Sequence, residues 1–318
     1  MSLEKSTVGP SELPPLALGS WHIFDRIFFD DAAELVHEAA RNGACMFDVG
    51  TYDGHSPRGR SLSHTDIIFG QALRRAGLPR EDYLLQAKVW LWAFPQRDNK
   101  DQVKNTLDRV GVDAFDILSL GPSGGDIDMP RLLDSLAEII DEGLAGGWGV
   151  TGWSARDILE ADELAVARGL PRPQLTQLKY GVARRAVGEG RPYAEVFERT
   201  QVRLQASDIL EGGVLIGRSP ERVIGGDNGE LRSEIQKNFP RLAYASEKIG
   251  VSPAVLAIAF AFTHPHTANV LLGISNLSQL DDAIAGQKLA ATRPDEVRAA
   301  VEGLQVDGDG RVDPAAWS

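Results

Sequence analysis

The sequence predicts an α/β fold, a single (β/α)8 barrel of the TIM type, on three observations. A short apolar run followed by an amphipathic stretch recurs eight times along the 318 residues. The apolar runs lack clean alternation, as expected of parallel strands covered on both faces. No low-complexity segment or shift in composition divides the chain. One domain is therefore expected over 1–318, with a polar arm at 1–15 and a tail at 305–318. Strands alternating with helices imply parallel pairing through right-handed crossovers. A doubly wound sheet shares that pattern; eight units favour closure, and the residues at the strand ends decide for the barrel.

The strand candidates are residues 16–21, 44–48, 84–89, 115–120, 148–151, 174–179, 202–206 and 269–273. Helix punctuation lies between them. Asp31 with Glu34 three residues on has the form of a capping box, and Gly43 stands where that helix should stop. Ser154 precedes 155–168 as an N-cap, with Gly169 at the exit. Ser252-Pro253 opens 254–262 with proline in the tolerated first position. This last segment is the most apolar helix candidate; it is too short to span a bilayer and reads as a core helix.

An apolar fraction of 43% supplies a sizeable core without a metal or disulfide staple. The one cysteine, Cys45, reads as a buried strand residue without a second thiol, which suits a reducing compartment. With 33 basic against 45 acidic side chains the net charge is −12. That balance argues against nucleic acid or a membrane surface as partner, while a small basic pocket remains compatible with one anionic cofactor. Residues 1–15 are polar and proline-punctuated, unlike a signal peptide, so a cytoplasmic protein acting on a small molecule is expected. The segment Asp307-Gly-Asp-Gly-Arg-Val-Asp313 imitates a calcium loop. Arg311 stands at its third oxygen ligand and Ser318 at its glutamate, so no metal site is expected.

In a barrel, chemistry sits on the loops that follow the strands. Asp48 ends the second strand candidate and Lys88 lies at the end of the third. Singly, Asp48 reads as a turn cap and Lys88 as a snorkelling lysine. Together they are unusual, because neither type is buried unless paired. Tyr52 completes a different object. A lysine beside a phenol favours phenolate, and a carboxylate holds that lysine charged and oriented. Such a trio hands a proton to a carbonyl oxygen while hydride arrives at carbon.

Leu18-Gly19 with Trp21, residues 43–48, Phe69-Gly70-Gln71-Ala72-Leu73, Lys88, residues 107–120, Gly149-Val150-Thr151, Gln177 and residues 273–280 occur in this order on successive units. Through them the chain resembles the aldo-keto reductase family over nearly its whole length. The resemblance implies a barrel that binds a nicotinamide dinucleotide without a Rossmann domain, and the chain has no G-x-G-x-x-G fingerprint. It implies Asp48 and Lys88 as catalytic residues. It implies Gln177, and Thr151 in place of a serine, as partners of the nicotinamide carboxamide, with Tyr180 as an aromatic neighbour. Ser207 and the Gly212-Gly213 turn fall where the family cradles pyrophosphate; Ser275, Gln279 and Asp282 fall where it holds the adenosine end. Neutral hydroxyl and amide donors there accept a 2′-phosphate, so NADP is the expected cofactor, NADPH over NADH.

Three positions depart from the family pattern. Its tyrosine follows the aspartate by five residues and precedes glycine; counted without a gap, Asp53-Gly54 stands there and Tyr52 is one place early. Tyr52 is favoured as the acid, through a one-residue deletion, with Asp53 the alternative. The histidine five residues beyond the fourth-strand aspartate is matched, counting from Asp116, by Gly121, which opens room over the nicotinamide. The asparagine after the fifth-strand serine is Gly152. The loop of residues 55–64 is longer than the family's link: His55 or His64 are candidate replacement donors, and Arg58 or Arg60 candidate grips for an acidic substrate. His264 and His266 precede the eighth strand, away from the chemistry.

Trp21, Trp90, Trp92 and Trp153 all project at one rim. Trp21, Trp90, Trp92 and Gly121 outline an apolar pocket suited to a flat cyclic substrate. The expected function is an NADP(H)-dependent oxidoreductase with a degenerate Asp/Tyr/Lys/(His to Gly) tetrad. It would reduce a carbonyl, imine or polarised C=C of a small apolar, cyclic molecule. The alternatives are a low-activity redox-sensing subunit, as in a family branch of channel subunits, and a non-redox lyase or isomerase using Asp53 and Lys88.

Overall fold

The structure, a computed structural model, describes residues 13–52, 63–123, 126–219 and 231–308. Asp53, His55, Arg58, Arg60 and most of the calcium-like tail lie outside the described residues. Eight parallel strands close into a barrel in chain order. They are β1 (Leu16–Gly19), β2 (Met46–Val49), β3 (Leu84–Leu91), β4 (Phe115–Ser123), β5 (Ala145–Thr151), β6 (Pro173–Lys179), β7 (Arg203–Ser207) and β8 (Thr267–Leu272). Every strand candidate has its counterpart. Around them lie α1 (Phe29–Arg41), α2 (Thr65–Ala76), α3 (Asn99–Val110), α4 (Met129–Asp141), α5 (Ala155–Arg168) and α6 (Arg191–Arg199). The circuit continues with α7 (Arg232–Lys237), α8 (Phe239–Ile249), α9 (Pro253–Phe262), α10 (Leu277–Thr292) and α11 (Pro294–Ala300). Among the described residues no single helix is long and apolar enough to cross a membrane.

The caps follow the sequence where a side chain serves them. Ser154 accepts from the Asp157 N–H, Ser252 from the Val255 N–H, and Gly169 closes α5 in the left-handed conformation. The Asp31–Glu34 capping box does not form. Helix α1 begins three residues earlier behind Phe28, so Asp30 and Asp31 sit in its first turn and act on the helix dipole. Cys45 precedes β2 and is half-buried rather than a strand residue.

Successive strand residues point to opposite faces, which divides the core in two. Phe47, Leu85, Ala87, Val89, Leu118 and Leu120 pack outward with the helices. Ala17, Met46, Ile117, Leu175 and Leu271 point inward and, with Leu13, plug the barrel. Within the barrel the Gln86 and Gln205 amides exchange two hydrogen bonds, of 3.0 and 2.8 Å. His264 and His266 stand just before β8, where Phe197 packs against both and the His264 Nε2 meets the Gly188 carbonyl at 3.1 Å. Burial holds both imidazoles below the ordinary histidine range, and their part is packing.

Candidate active site

The inward positions toward the C-terminal ends of the strands hold Asp48 of β2, Lys88 of β3, Ser119 of β4 and Gln177 of β6. Strand register sets Lys88 opposite Ser119 and Thr151 opposite Gln177. The Lys88 ammonium lies 3.1 and 3.0 Å from the two Asp48 oxygens. It also donates to Gln177 Oε1 at 2.6 Å and to Ser119 Oγ at 3.4 Å. Thr151 donates to the same Gln177 oxygen at 3.0 Å, which leaves its own oxygen to accept from Ser119 at 2.6 Å. All three ammonium protons are therefore engaged, and every acceptor sits at a strand end.

Asp48 and Lys88 are both less than a tenth exposed. Burial pushes the Asp48 carboxyl up and the Lys88 ammonium down, each opposed by the other's charge. The Gln177 amide also hydrogen-bonds to the carboxylate. Gln177 and Thr151, expected to face a nicotinamide, are thus part of the cage around Lys88.

Tyr52 lies beside this cluster. A Cβ built on Gly50 would be 3.1 Å from both Cζ and hydroxyl of Tyr52 and 3.2 Å from Cβ of Lys88. The missing side chain lets the phenol approach the β2 exit next to the Lys88 side chain. The Tyr52 ring is surrounded by Trp90, Trp21 and His22, with centroids at 5.8, 6.3 and 6.3 Å.

The aromatic wall differs in detail from expectation. Trp90 and Trp92 are strand and loop neighbours stacked at 4.5 Å and 10°. The Trp90 indole donates to the Thr51 carbonyl at 3.0 Å. Trp153 is buried, donates to the Gly121 carbonyl at 3.1 Å and belongs to the core rather than the rim. Gly121 leaves no open room: a Cβ there would be 2.8 Å from Trp90 Cε3. The indole fills the space that a side chain at this position would need. Gly121→Ala is expected to displace Trp90 and lower stability by about 1–3 kcal/mol, read as a shift of the denaturation midpoint; an unshifted midpoint would show that Trp90 is free to move aside.

The remaining sites are spread along the later loops. Tyr180 turns outward, contrary to expectation: its buried ring packs on Phe260 and His264, and its hydroxyl donates to Glu189 at 2.7 Å. Ser207 donates to the Leu178 carbonyl at 3.0 Å. Past it, Asp208, Glu211, Gly212 and Gly213 have φ of 54, 49, 63 and 97°. These left-handed residues shape a tight turn in which the Glu211 and Gly213 N–H groups bond the Asp208 and Leu210 carbonyls at 2.8 and 2.7 Å. A Cβ on Gly213 would meet the Arg218 side chain at 2.9 Å, so a guanidinium stem arches over the glycine. The Glu211 carboxylate is turned to Arg184 at 2.8 Å. After β8, Ser275 donates from N and Oγ to Gln279 Oε1 at 2.8 and 3.2 Å, and Asn276 caps α10. Asp282 accepts from Ser252 at 3.4 Å and so faces the neighbouring helix. His64 is an exposed residue at the start of α2.

Three participants carry no mark in the sequence. Ser119 is a lone hydroxyl in an apolar strand. His22 follows a tryptophan in the loop after β1. Asp66, wholly buried, accepts from Thr51 Oγ1 at 2.9 Å and from Arg109 Nε and Nη2 at 2.6 and 2.8 Å. It thereby secures the Thr51 peptide that anchors Trp90.

Comparison with known proteins gives a consistent picture. The family model described as Aldo/keto reductase family matches residues 15–302. A "Probable voltage-gated potassium channel subunit beta" of Arabidopsis thaliana is 24% identical over 288 residues, covering 84% of this chain and 85% of the relative. The crystal structure of a thermostable aldo-keto reductase in complex with the inhibitor epalrestat superposes with a TM-score of 0.67 at 20% identity. It covers 91% of this chain and 94% of the other.

Proposed function

This chain belongs to the aldo/keto reductase family, and from that membership we propose that it is an NADP(H)-dependent oxidoreductase acting on a carbonyl, imine or polarised C=C of a small apolar, cyclic molecule. The observation that carries the reading is the buried Lys88, held by Asp48 beside the Tyr52 phenol at the mouth of the barrel. A nicotinamide dinucleotide, when bound, supplies a hydride to the substrate carbon. Tyr52 gives the proton to the substrate oxygen or nitrogen, Lys88 stabilises the phenolate left behind, and Asp48 keeps Lys88 charged. The ring of Ser119, Thr151 and Gln177 fixes the ammonium, so no reorganisation is needed as charge develops. Thr151 and Gln177 lie on the floor where a carboxamide would rest; the turn at Gly213 with Ser207 would hold the pyrophosphate, and Ser275 and Gln279 the adenosine end. Trp21, Trp90 and Trp92 supply flat apolar walls, which favour a cyclic substrate.

A second reading, a low-turnover NADP(H)-binding subunit that senses redox state, draws on the name of the Arabidopsis relative and on glycine at position 121. Fluorescence titration with NADPH and, in parallel, NADH tests both. Saturable binding with a preference for NADPH supports them, and a screen of cyclic ketones, enones and imines then separates enzyme from sensor. Absence of binding by either nucleotide removes both and leaves non-redox chemistry of Asp53 and Lys88.

A further inference from the structure

His22 stands in the loop after β1 with φ of 53°, one of three non-glycine residues in the left-handed region among the described residues. A side chain is seldom held there unless the surroundings enforce it. Here they do. Thr65 Oγ1 donates to the Ser20 carbonyl and accepts from the Phe24 N–H at 3.3 Å, stapling this loop to the start of α2. The strained turn lays the imidazole nearly parallel to the Tyr52 ring, with 19° between planes and 6.3 Å between centroids.

The other side of the imidazole faces Asp25, whose Oδ2 lies 3.9 Å from His22 Nδ1. The same oxygen accepts from Ser63 Oγ at 2.6 Å, and the Ser63 N–H donates to the Tyr52 carbonyl at 3.1 Å. Tyr52, Ser63, Asp25 and His22 are thus neighbours drawn from three stretches of chain. Tyr52 belongs to no regular strand, only an isolated bridge with Ser63. The His22, Trp21 and Trp90 rings pack around its own.

We propose that His22 is a positioning residue for Tyr52: its ring, lying nearly parallel to the phenol, fixes Tyr52 in the orientation from which it donates to substrate. The proposal rests on the reading of Tyr52 as the acid. A flat ring is what the contact requires, so His22→Phe keeps the function and His22→Ala loses it.

The test measures kcat, KM, nucleotide Kd and melting temperature in these variants, with ring-13C tyrosine NMR assigned through Tyr52→Phe. His22→Ala is expected to lower kcat about tenfold to a hundredfold, with nucleotide Kd and melting temperature unchanged. The Tyr52 ring signal should shift in His22→Ala and return in His22→Phe, together with kcat. Should Tyr52→Phe itself retain full turnover, the acid reading fails, and the NMR signal alone decides the positioning. A Tyr52 signal and a kcat both unmoved by His22→Ala would overturn the proposal. So would a kcat loss that follows only a fall in melting temperature.

Discussion

Replacing Lys88 by Met is expected to lower kcat by about two to four orders of magnitude while leaving the Kd for NADPH within a few-fold. The side chain keeps its length and loses its charge. The phenolate of Tyr52 then loses the Lys88 charge, and proton delivery becomes uphill. On the proposed reading nucleotide affinity is spared, because the turn at Gly213 and the residues around Ser275 are untouched. The substitution also strands the Asp48 carboxylate in a buried site, where only Lys88 and Gln177 oppose its rise in pKa. A one-sided break of a buried pair costs about 3–5 kcal/mol, so a stability measurement must accompany the kinetics. Asp48→Asn with Lys88→Met relieves the stranded charge and should recover stability but not turnover. Single-turnover rates with NADPH in excess make the comparison; a Lys88→Met protein that still reduces substrate would remove Lys88 from the mechanism.

Asp66→Ala is expected to cost about 3–5 kcal/mol of folding stability. The carboxylate is wholly buried and accepts from Thr51 and twice from Arg109, besides the Ile67 N–H. Alanine leaves a half-buried guanidinium and a buried hydroxyl facing a void. Asparagine keeps one acceptor and should lose less. Denaturant midpoints of the two variants provide the measurement, and a loss below about 1 kcal/mol for Asp66→Ala would mean that Arg109 reaches solvent once freed. The effect extends to the pocket, because the Thr51 carbonyl holds the Trp90 indole at 3.0 Å. Substrate KM should therefore rise in the variants that still fold.

The residues that strand ends must carry were open to inspection in the chain. An apolar run without alternation fixes a doubly covered parallel strand, so eight of them could be counted, and the polar residues interrupting their C-terminal ends could be read as a site. Asp48 and Lys88 were legible for that reason: a charged residue inside an apolar run has few physical excuses. The serine caps of α5 and α9 were legible too, because a cap is a contact between residues three apart.

Contacts between distant segments left no such trace. The filling of the Gly121 position by Trp90 links two strands through a contact 31 positions apart, and only the closed barrel brings the indole there. Tyr180 turned out to face Phe260 because the chain just past the end of β6 turns that position outward, a matter of face that one place in the count reverses. Ser119 was hidden as a small hydroxyl with ordinary strand neighbours until the register set it opposite Lys88. His22 and Asp66 owe their roles to backbone strain and burial, which are properties of the folded chain alone. Local pattern and residue chemistry determined the barrel and the identity of its central ion pair. Which side chains orient that pair, and which fill the space around it, was decided by tertiary packing, because those contacts depend on closure rather than on spacing along the chain.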